Sequence, residues 1–384
     1  MTLRIALLTY STKPRGSVIH TLELAQSLAE LGHYPCVFAL DKDNQGFHRP
    51  TSFQTCSVPA APCDKGIDQL IQQRINEFVT FFQRHPHHYD IYHAQDCLSA
   101  NALAILKQQS RIPHFVRTVH HIEDFQSPYL QNCQEKSIYQ PDRCLCVSDI
   151  WQQALKKDYG IHAHRVINGV SNRFSPKPDG SETALAKAYG IQDGPIYLTV
   201  GGIEPRKNSI RLLKAFHQVQ QQQPQARLII AGGATLFDYQ TYRQEFMELL
   251  EAYNLADSLV LPGVVPDAEL PTLYRLADVF VFPSIQEGWG LVILEAIASG
   301  IPILTSAQPP FIEFLSEKEA LLVKPEDVNA IATAMLTLLN PNIAQPLIQN
   351  SRSILEQYSW QRSAQMHLDL YTELASGTNN FRST

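Results

Sequence analysis

Apolar positions along the chain fall into two rhythms that alternate. Short runs such as "LRIALLTY", "YPCVFAL" and "YDIYHAQ" read as buried strands. Between them lie stretches with apolar residues three and four apart. In "SVIHTLELAQSLAEL", Val18, Leu22, Ala25, Leu28 and Ala29 share one helical stripe. "IDQLIQQRINEFVTFFQ" and "LSANALAILKQQ" predict two more helices. After "HFVRTVHH" and a long connection come the strand "RCLCVSD", a helix from Ile150 to about Tyr159, and "HRVINGV". Strand–helix alternation of this kind predicts a parallel sheet covered on both faces.

The rhythm breaks at "SNRFSPKPDGSE", where Pro176, Pro178 and Gly180 stand among polar residues, as in a linker. It then restarts. "PIYLTVGG", "ARLIIAGG", "DSLVLPG", "DVFVFPS" and "PILTS" read as strands, with helices between them and another at 326–340. The expectation is an α/β protein of two Rossmann-like, doubly wound parallel-sheet domains facing a central cleft. The first spans 1–175 and the second 176–355. A helix at 356–376 returns to the first domain, and 377–384 form a tail. Ligands of such open sheets bind beyond the carboxyl ends of the strands.

Length and composition narrow the class. At 384 residues the chain suits two cores, and 18% charged residues suit a soluble protein. Its apolar runs are far shorter than the roughly 20 residues that span a bilayer. "MTLRIALLTYS" reads as a first strand, so a cytoplasmic protein is expected. The helix at 67–82 is amphipathic for core packing, and weak peripheral contact with a membrane stays open. Residues 1–175 hold 17 Lys and Arg against 15 Asp and Glu, and the remainder 14 against 22. Neither half is a nucleic-acid surface. Any phosphate ligand in the acidic half must rely on a few local cations and backbone amides. Seven cysteines, all before residue 150, read as reduced thiols; no metal set completes around Cys144 and Cys146.

Two stretches carry chemistry. In "YLTVGGIEPRKNSIRLLKAF" a strand ends in Gly201-Gly202, a loop bears Arg206 and Lys207, and a helix begins near Asn208. Loop glycines, two cations and a helix start suit an anion. The alternative is a solvated cation pair beside a capping Asn208. The loop is neither a P-loop nor G-x-G-x-x-G, which disfavours NAD. In "SIQEGWGLVILEAIASG" Glu287 precedes a helix and Glu295 lies one turn inside it. Glu287 could complement the helix dipole, and Glu295 could be an exposed helix residue. Against the second, the neighbours of Glu295 are nearly all apolar, and a buried carboxylate needs partners. His120 and His121 follow a first-domain strand, where a structural or surface pair is the favoured reading, and Gly16 precedes the first helix as either a plain βα turn or a close backbone approach to a ligand.

These motifs resemble those of the GT-B glycosyltransferases of family 4, mostly retaining enzymes that use nucleotide-sugar donors. "EGWGLVILE" matches the family's E-x7-E signature, and "VGGIEPRKN" is similar to the "GTIEPRKN" of mannosyltransferase-like members. "INGV", "LPGVVPDAELPTLYRLADVFVFPS", "YHAQDCLSA" and "TVHH" add support, so the resemblance runs from about residue 4 to 373. "VRTVHHIEDF…SPYL" is similar to a bacterial subgroup. The resemblance implies that Arg206 and Lys207, with Gly202 beside them, bind the donor diphosphate. It implies that Glu295 holds the ribose and that Glu287 and the amides of Gly288, Trp289, Gly290 and Leu291 lie near the transferred sugar. His120 would touch that sugar and Gly16 the diphosphate. No cofactor or metal is implied, and the acceptor is an unspecified hydroxyl. Arg15 replaces the usual first glycine of the Gly16 loop, and Pro309-Pro310 replaces a usual Gly-Gly turn before Glu313. "DKD" at 41–43 reads as a turn. Rival readings are a nucleotide-sugar epimerase, a sugar phosphorylase or a non-catalytic nucleotide-sugar binder on the same fold.

Overall fold

The computed structural model describes residues 1–47, 49–86, 88–233 and 239–379, with side chains up to residue 376. Residues 380–384 of the expected tail lie outside the described residues. The chain divides into two units: residues 1–169 with the chain from Tyr358 onward, and Val170–Gln357.

Unit 1 begins with β1 (Arg4–Thr9), α1 (Gly16–Glu30), β2 (Tyr34–Asp41), β3 (Gln54–Pro59) and α2 (Ile67–Arg84). It continues through β4 (Ile91–Ala94), α3 (Cys97–Gln108), β5 (Val116–Val119), α4 (Pro128–Tyr139), β6 (Arg143–Cys146), α5 (Asp149–Tyr159) and β7 (His164–Arg165). Among the described residues its strands form one sheet in the order β3-β2-β1-β4-β5-β6-β7, with all pairs parallel. Inner strands are buried on both faces because helices cover both, and β4 and β5 bury the polar His93, Arg117 and Thr118 as well. The edge strand β3 buries little beyond Val58. Phe38, Phe78, Phe82, Leu103 and Phe115 fill the main core. The "DKD" turn is a loop clamp. Asp41 accepts from the N–H of Gly46 at 2.7 Å and from Ser57 Oγ at 2.8 Å, while Asp43 pairs with Lys13.

Unit 2 runs through α6 (Glu182–Ala188), β8 (Ile196–Val200), α7 (Ser209–Gln222), β9 (Arg227–Ala231), α8 (Gln240–Ala252), β10 (Leu259–Gly263) and α9 (Leu270–Leu276). β11 (Val279–Phe282), α10 (Leu291–Ser299), β12 (Ile303–Ser306), β13 (Leu321–Val323), α11 (Val328–Thr337) and α12 (Pro341–Gln357) follow. The described strands order as β10-β9-β8-β11-β12-β13, again all parallel. In both sheets the first strand lies at the point where strand order reverses. The first crossover runs outward to one side and the next strand pairs on the other, which is the doubly wound pattern.

The stretch read as a linker is packed onto unit 2. Phe174 is buried and meets the Tyr274 ring edge-on, and Arg173 bonds to Asp267. Polar and proline-rich composition hid these anchors.

The last helix, α13 (Trp360–Asn379), lies in unit 1 against α1. Gly169 makes its start possible: a Cβ there would stand 2.2 Å from the backbone nitrogen of Trp360. Beneath α13 lies a group of buried histidines. The His20 ring is 5.2 Å from that of Trp360 and 5.9 Å from that of His367, and His93 is 5.7 Å from His367. His20 Nδ1 contacts Asn168 Oδ1 at 2.7 Å, and His93 pairs with Tyr371 Oη at 2.5 Å and Thr118 Oγ1 at 2.8 Å. Burial lowers the pKa of His20 to about 3 and that of His367 to about 4, and takes His93 well below the ordinary value. The folded unit therefore excludes protons that the unfolded chain accepts near pH 6.5. The sign follows: stability is present above that pH and is lost as pH falls toward 4. Each excluded proton removes about 1.4 kcal/mol per pH unit. Urea midpoints are expected to drop between pH 7 and pH 5, and His367→Phe should flatten the drop; equal slopes for both proteins would contradict it.

Candidate functional site

The carboxyl ends of β8 and β9 meet without side chains. β8 runs into Gly201-Gly202 and β9 into Gly232-Gly233. A Cβ at Gly232 would stand 2.4 Å from the Gly201 carbonyl carbon, and one at Gly202 would stand 2.6 Å from the Gly233 oxygen. Gly201 itself has φ +151°, where a side chain is strained. The glycines thus let two strand ends approach and leave bare backbone at the ligand end of the sheet. "ARLIIAGG" repeats the pattern of "YLTVGG", so Gly232-Gly233 was readable in the sequence and was missed.

From Gly202 the chain enters a short turn, Pro205–Lys207, and then α7. Asn208 does not cap that helix with its side chain. Its φ is +61°, and its amide donates to the carbonyls of Pro283 (3.0 Å) and Pro325 (2.6 Å). It ties the turn to segments that follow β11 and β13. Its Oδ1 accepts from Arg211 Nη1 at 3.1 Å, so the oxygen that a cap would use is engaged by a side chain.

Arg206 and Lys207 are not a solvated pair. Lys207 Nζ donates to Glu287 Oε1 at 2.6 Å, and Arg206 Nη1 donates to both Glu287 oxygens at 3.2 and 3.3 Å. Ser284 Oγ donates to the same Oε1 at 2.7 Å. Arg206 Nε lies 3.1 Å from Oε2 of the buried Glu204. The Lys207 ammonium also sits 4.5 Å above the Phe282 ring. Side-chain exposure is 13% for Lys207 and 35% for Arg206, so Arg206 is the cation more open to solvent. Burial would raise the Glu287 pKa, but the Lys207 and Arg206 charges and the Lys207 and Ser284 hydrogen bonds hold it below the ordinary value. Burial and the Arg206 charge keep Lys207 below its ordinary value despite the Glu287 charge. Glu287 is therefore an ionised counterion to two cations, not a complement to the helix dipole.

Past Glu287 the chain turns into α10. Gly288 and Leu291 are half-buried. Trp289 is buried, its ring stacked on Phe314 at 4.6 Å. Gly290, at φ +113°, turns the chain into the helix with Phe311 packed against it. Glu295 is buried, and Oη of Tyr274, on α9, donates to its Oε2 at 2.8 Å. The partner that a buried carboxylate requires is thus supplied by the protein. Sequence offered no signal for it, because a tyrosine in an amphipathic helix reads as core.

Unit 2 thus joins Arg206, Lys207 and Glu287 in one cluster, with Glu295 held separately by Tyr274. Gly16 and His120 belong to unit 1. Gly16 is exposed at the first position of α1, and nothing there would obstruct a side chain. His120 Nε2 lies 3.0 Å from Oε1 of the buried Gln95, and its ring is 4.7 Å from that of His20. Gln95 Oε1 only accepts, so the imidazole carries its proton on Nε2. Burial, then the His20 and Arg117 charges, keep His120 neutral, with a pKa well below the ordinary value. His121 is more exposed and pairs with Glu123 at 2.7 Å. Among the described residues, no cluster of His, Cys, Asp or Glu is placed to hold a metal ion, and no helix is long and apolar enough to cross a membrane.

Two family models match nearly the whole chain. Residues 14–172 match "Glycosyltransferase Family 4" and residues 181–354 match "Glycosyl transferases group 1". The chain is 24% identical over 360 residues to mannosylfructose-phosphate synthase of Agrobacterium fabrum, covering 84% of this chain and 78% of that protein. Among solved structures, a sucrose-phosphate synthase from Thermosynechococcus elongatus superposes with a TM-score of 0.80 at 24% identity, over 98% of this chain and 100% of that one. Anabaena HepE, solved with UDP-glucose, gives 0.80 at 19% identity, over 97% and 100%. With two doubly wound parallel sheets and both halves matched, the chain belongs to the family 4 (group 1) glycosyltransferases and has the GT-B fold.

Proposed function

We propose that the protein transfers a hexosyl group from a nucleoside diphosphate sugar to an acceptor hydroxyl, with retention at the anomeric carbon and without a metal ion. The observation that carries this reading is the Arg206–Lys207–Glu287 cluster beside the bare backbone of Gly201. When the glycosidic bond breaks, negative charge grows on the departing diphosphate. Fixed cations in a partly buried site stabilise that charge without reorganising. Arg206 offers a fork to phosphate oxygens and Lys207 a point charge. The names of relatives support the reading: one is a mannosylfructose-phosphate synthase, and one structural neighbour holds UDP-glucose.

The other residues take consistent roles. Glu295 accepts hydrogen bonds from the ribose. The amides of Gly288, Trp289, Gly290 and Leu291 are assigned to the transferred sugar, and Gly16 to the diphosphate. His120, protonated on Nε2, presents Nδ1 as an acceptor for a sugar hydroxyl. Glu287 already accepts from Lys207, Arg206 and Ser284. A carboxylate engaged by three donors is a poor nucleophile, which favours front-face attack, with the departing phosphate oxygen taking the acceptor's proton. Seven cysteines that form no disulfide support a reducing, cytoplasmic setting.

The test is release of nucleoside diphosphate from a panel of nucleotide sugars, with and without cell-extract acceptors; binding with no release under any acceptor would sink the transferase reading. Lys207→Ala is expected to lower turnover about 100-fold or more, on the scale of losing one transition-state donor, with an unchanged circular dichroism spectrum. Turnover equal to wild type would refute the phosphate role. Glu287→Gln should slow transfer without abolishing it, and intact-mass spectra of the working enzyme should show no glycosyl adduct. A covalent adduct on Glu287 would instead establish double displacement.

A further inference from the structure

Tyr274 is fixed on every side that the structure describes. It has no exposed surface. Phe174 meets its ring edge-on at 5.5 Å and 90°, and Phe280 lies against it at 5.5 Å with a 35° tilt. Its hydroxyl lies 2.8 Å from Glu295 Oε2 and 3.3 Å from the Val292 carbonyl oxygen. A phenol has one proton, and the carboxylate is both nearer and the stronger acceptor, so the proton goes to Glu295. The terminal torsion of a glutamate is otherwise broad. A short charged hydrogen bond from an immobile ring sets the plane of the carboxylate.

We infer that Tyr274 is a positioning residue, which aims the Glu295 carboxylate so that it can receive both hydroxyls of a ribose cis-diol. The inference rests on the reading of Glu295 as the ribose-binding acid. A cis-diol gives two hydrogen bonds to a carboxylate only when the planes match. A carboxylate free to turn keeps one of them on average and also bears the entropy of being fixed on binding. The hydroxyl of Tyr274 therefore contributes to nucleotide affinity without touching the nucleotide.

The probes are UDP, GDP and ADP, titrated calorimetrically into the full chain, and then the 2′,3′-dideoxy form of whichever binds most tightly. Wild type should prefer the ribose form by about 10-fold or more, the scale of one charged hydrogen bond. Tyr274→Phe should weaken the ribose form by about 10-fold, the scale of one such bond, and leave the dideoxy form unchanged, so that the preference narrows by that factor. A merely structural role would weaken both forms alike and keep the ratio; that result overturns the inference while leaving the ribose role of Glu295 standing. A wild type that does not discriminate, or that binds none of the three nucleotides, overturns the Glu295 reading and the inference with it. A second measurement guards against a loosened fold. In a Glu295→Ala background, Tyr274→Phe should change nucleotide affinity no further, and an additive loss would contradict positioning.

Discussion

A lysine and a carboxylate withdrawn from water together, with a partly exposed arginine beside them, set the form of the carboxyl end of the sheet in unit 2. Lys207 alone would carry a large desolvation penalty, and so would Glu287; paired at 2.6 Å with Arg206 and Ser284 added, each offsets the other. The pair joins the turn after β8 to the turn after β11, and Asn208 reinforces the junction through the Pro283 carbonyl. The positions of Gly288 to Leu291 and the entry of α10 follow from where Glu287 is held. Removing one partner would strand the other. Loss of either cation is thus a change in the loop's architecture as well as in its charge.

Much of this was legible in the sequence because it is local. The strand–helix rhythm comes from periodicity. The Arg206-Lys207 turn and the two glutamates eight positions apart come from spacing. The binding partners are not local. Glu287 and Lys207 are 80 positions apart in the chain, and Glu295 and Tyr274 are 21 apart. The histidines under α13 come from α1, β4 and α13 and share no pattern in sequence. Helix α4 was hidden for a different reason. Its buried positions are Leu130, Cys133, Ser137 and Ile138, so half its stripe is not strongly apolar, and the segment reads as a connection. The polar segment after Val170 was misread because its anchors, Arg173 and Phe174, act through Asp267 and Tyr274 far along the chain.

Unit 1 treats charge in the opposite way. Unit 2 holds its cations against a carboxylate, whereas the buried imidazoles under α13 stay neutral. His120 is the outermost of these. Its ring rests edge-on against His20, and Gln95 holds its proton on Nε2. A neutral ring with an assigned proton can accept from one group while donating to another. An imidazolium could only donate. Burial next to other histidines thus defines the hydrogen-bond character of the one residue in this group that follows a strand's carboxyl end.

The paired glycines at the ends of β8 and β9 also limit how unit 2 can diverge. At Gly202 and Gly232 the obstruction is backbone, and at Gly201 it is the torsion angle, so none of the three has room to acquire a side chain. At Gly233 the obstruction among the described residues is the side chain of Val264, which is 59% exposed and can move. This floor therefore presents amide and carbonyl groups, which carry no record of residue identity. Side-chain variety at this end must come from around the floor, and of the four glycines Gly233 is the one whose obstruction can give way.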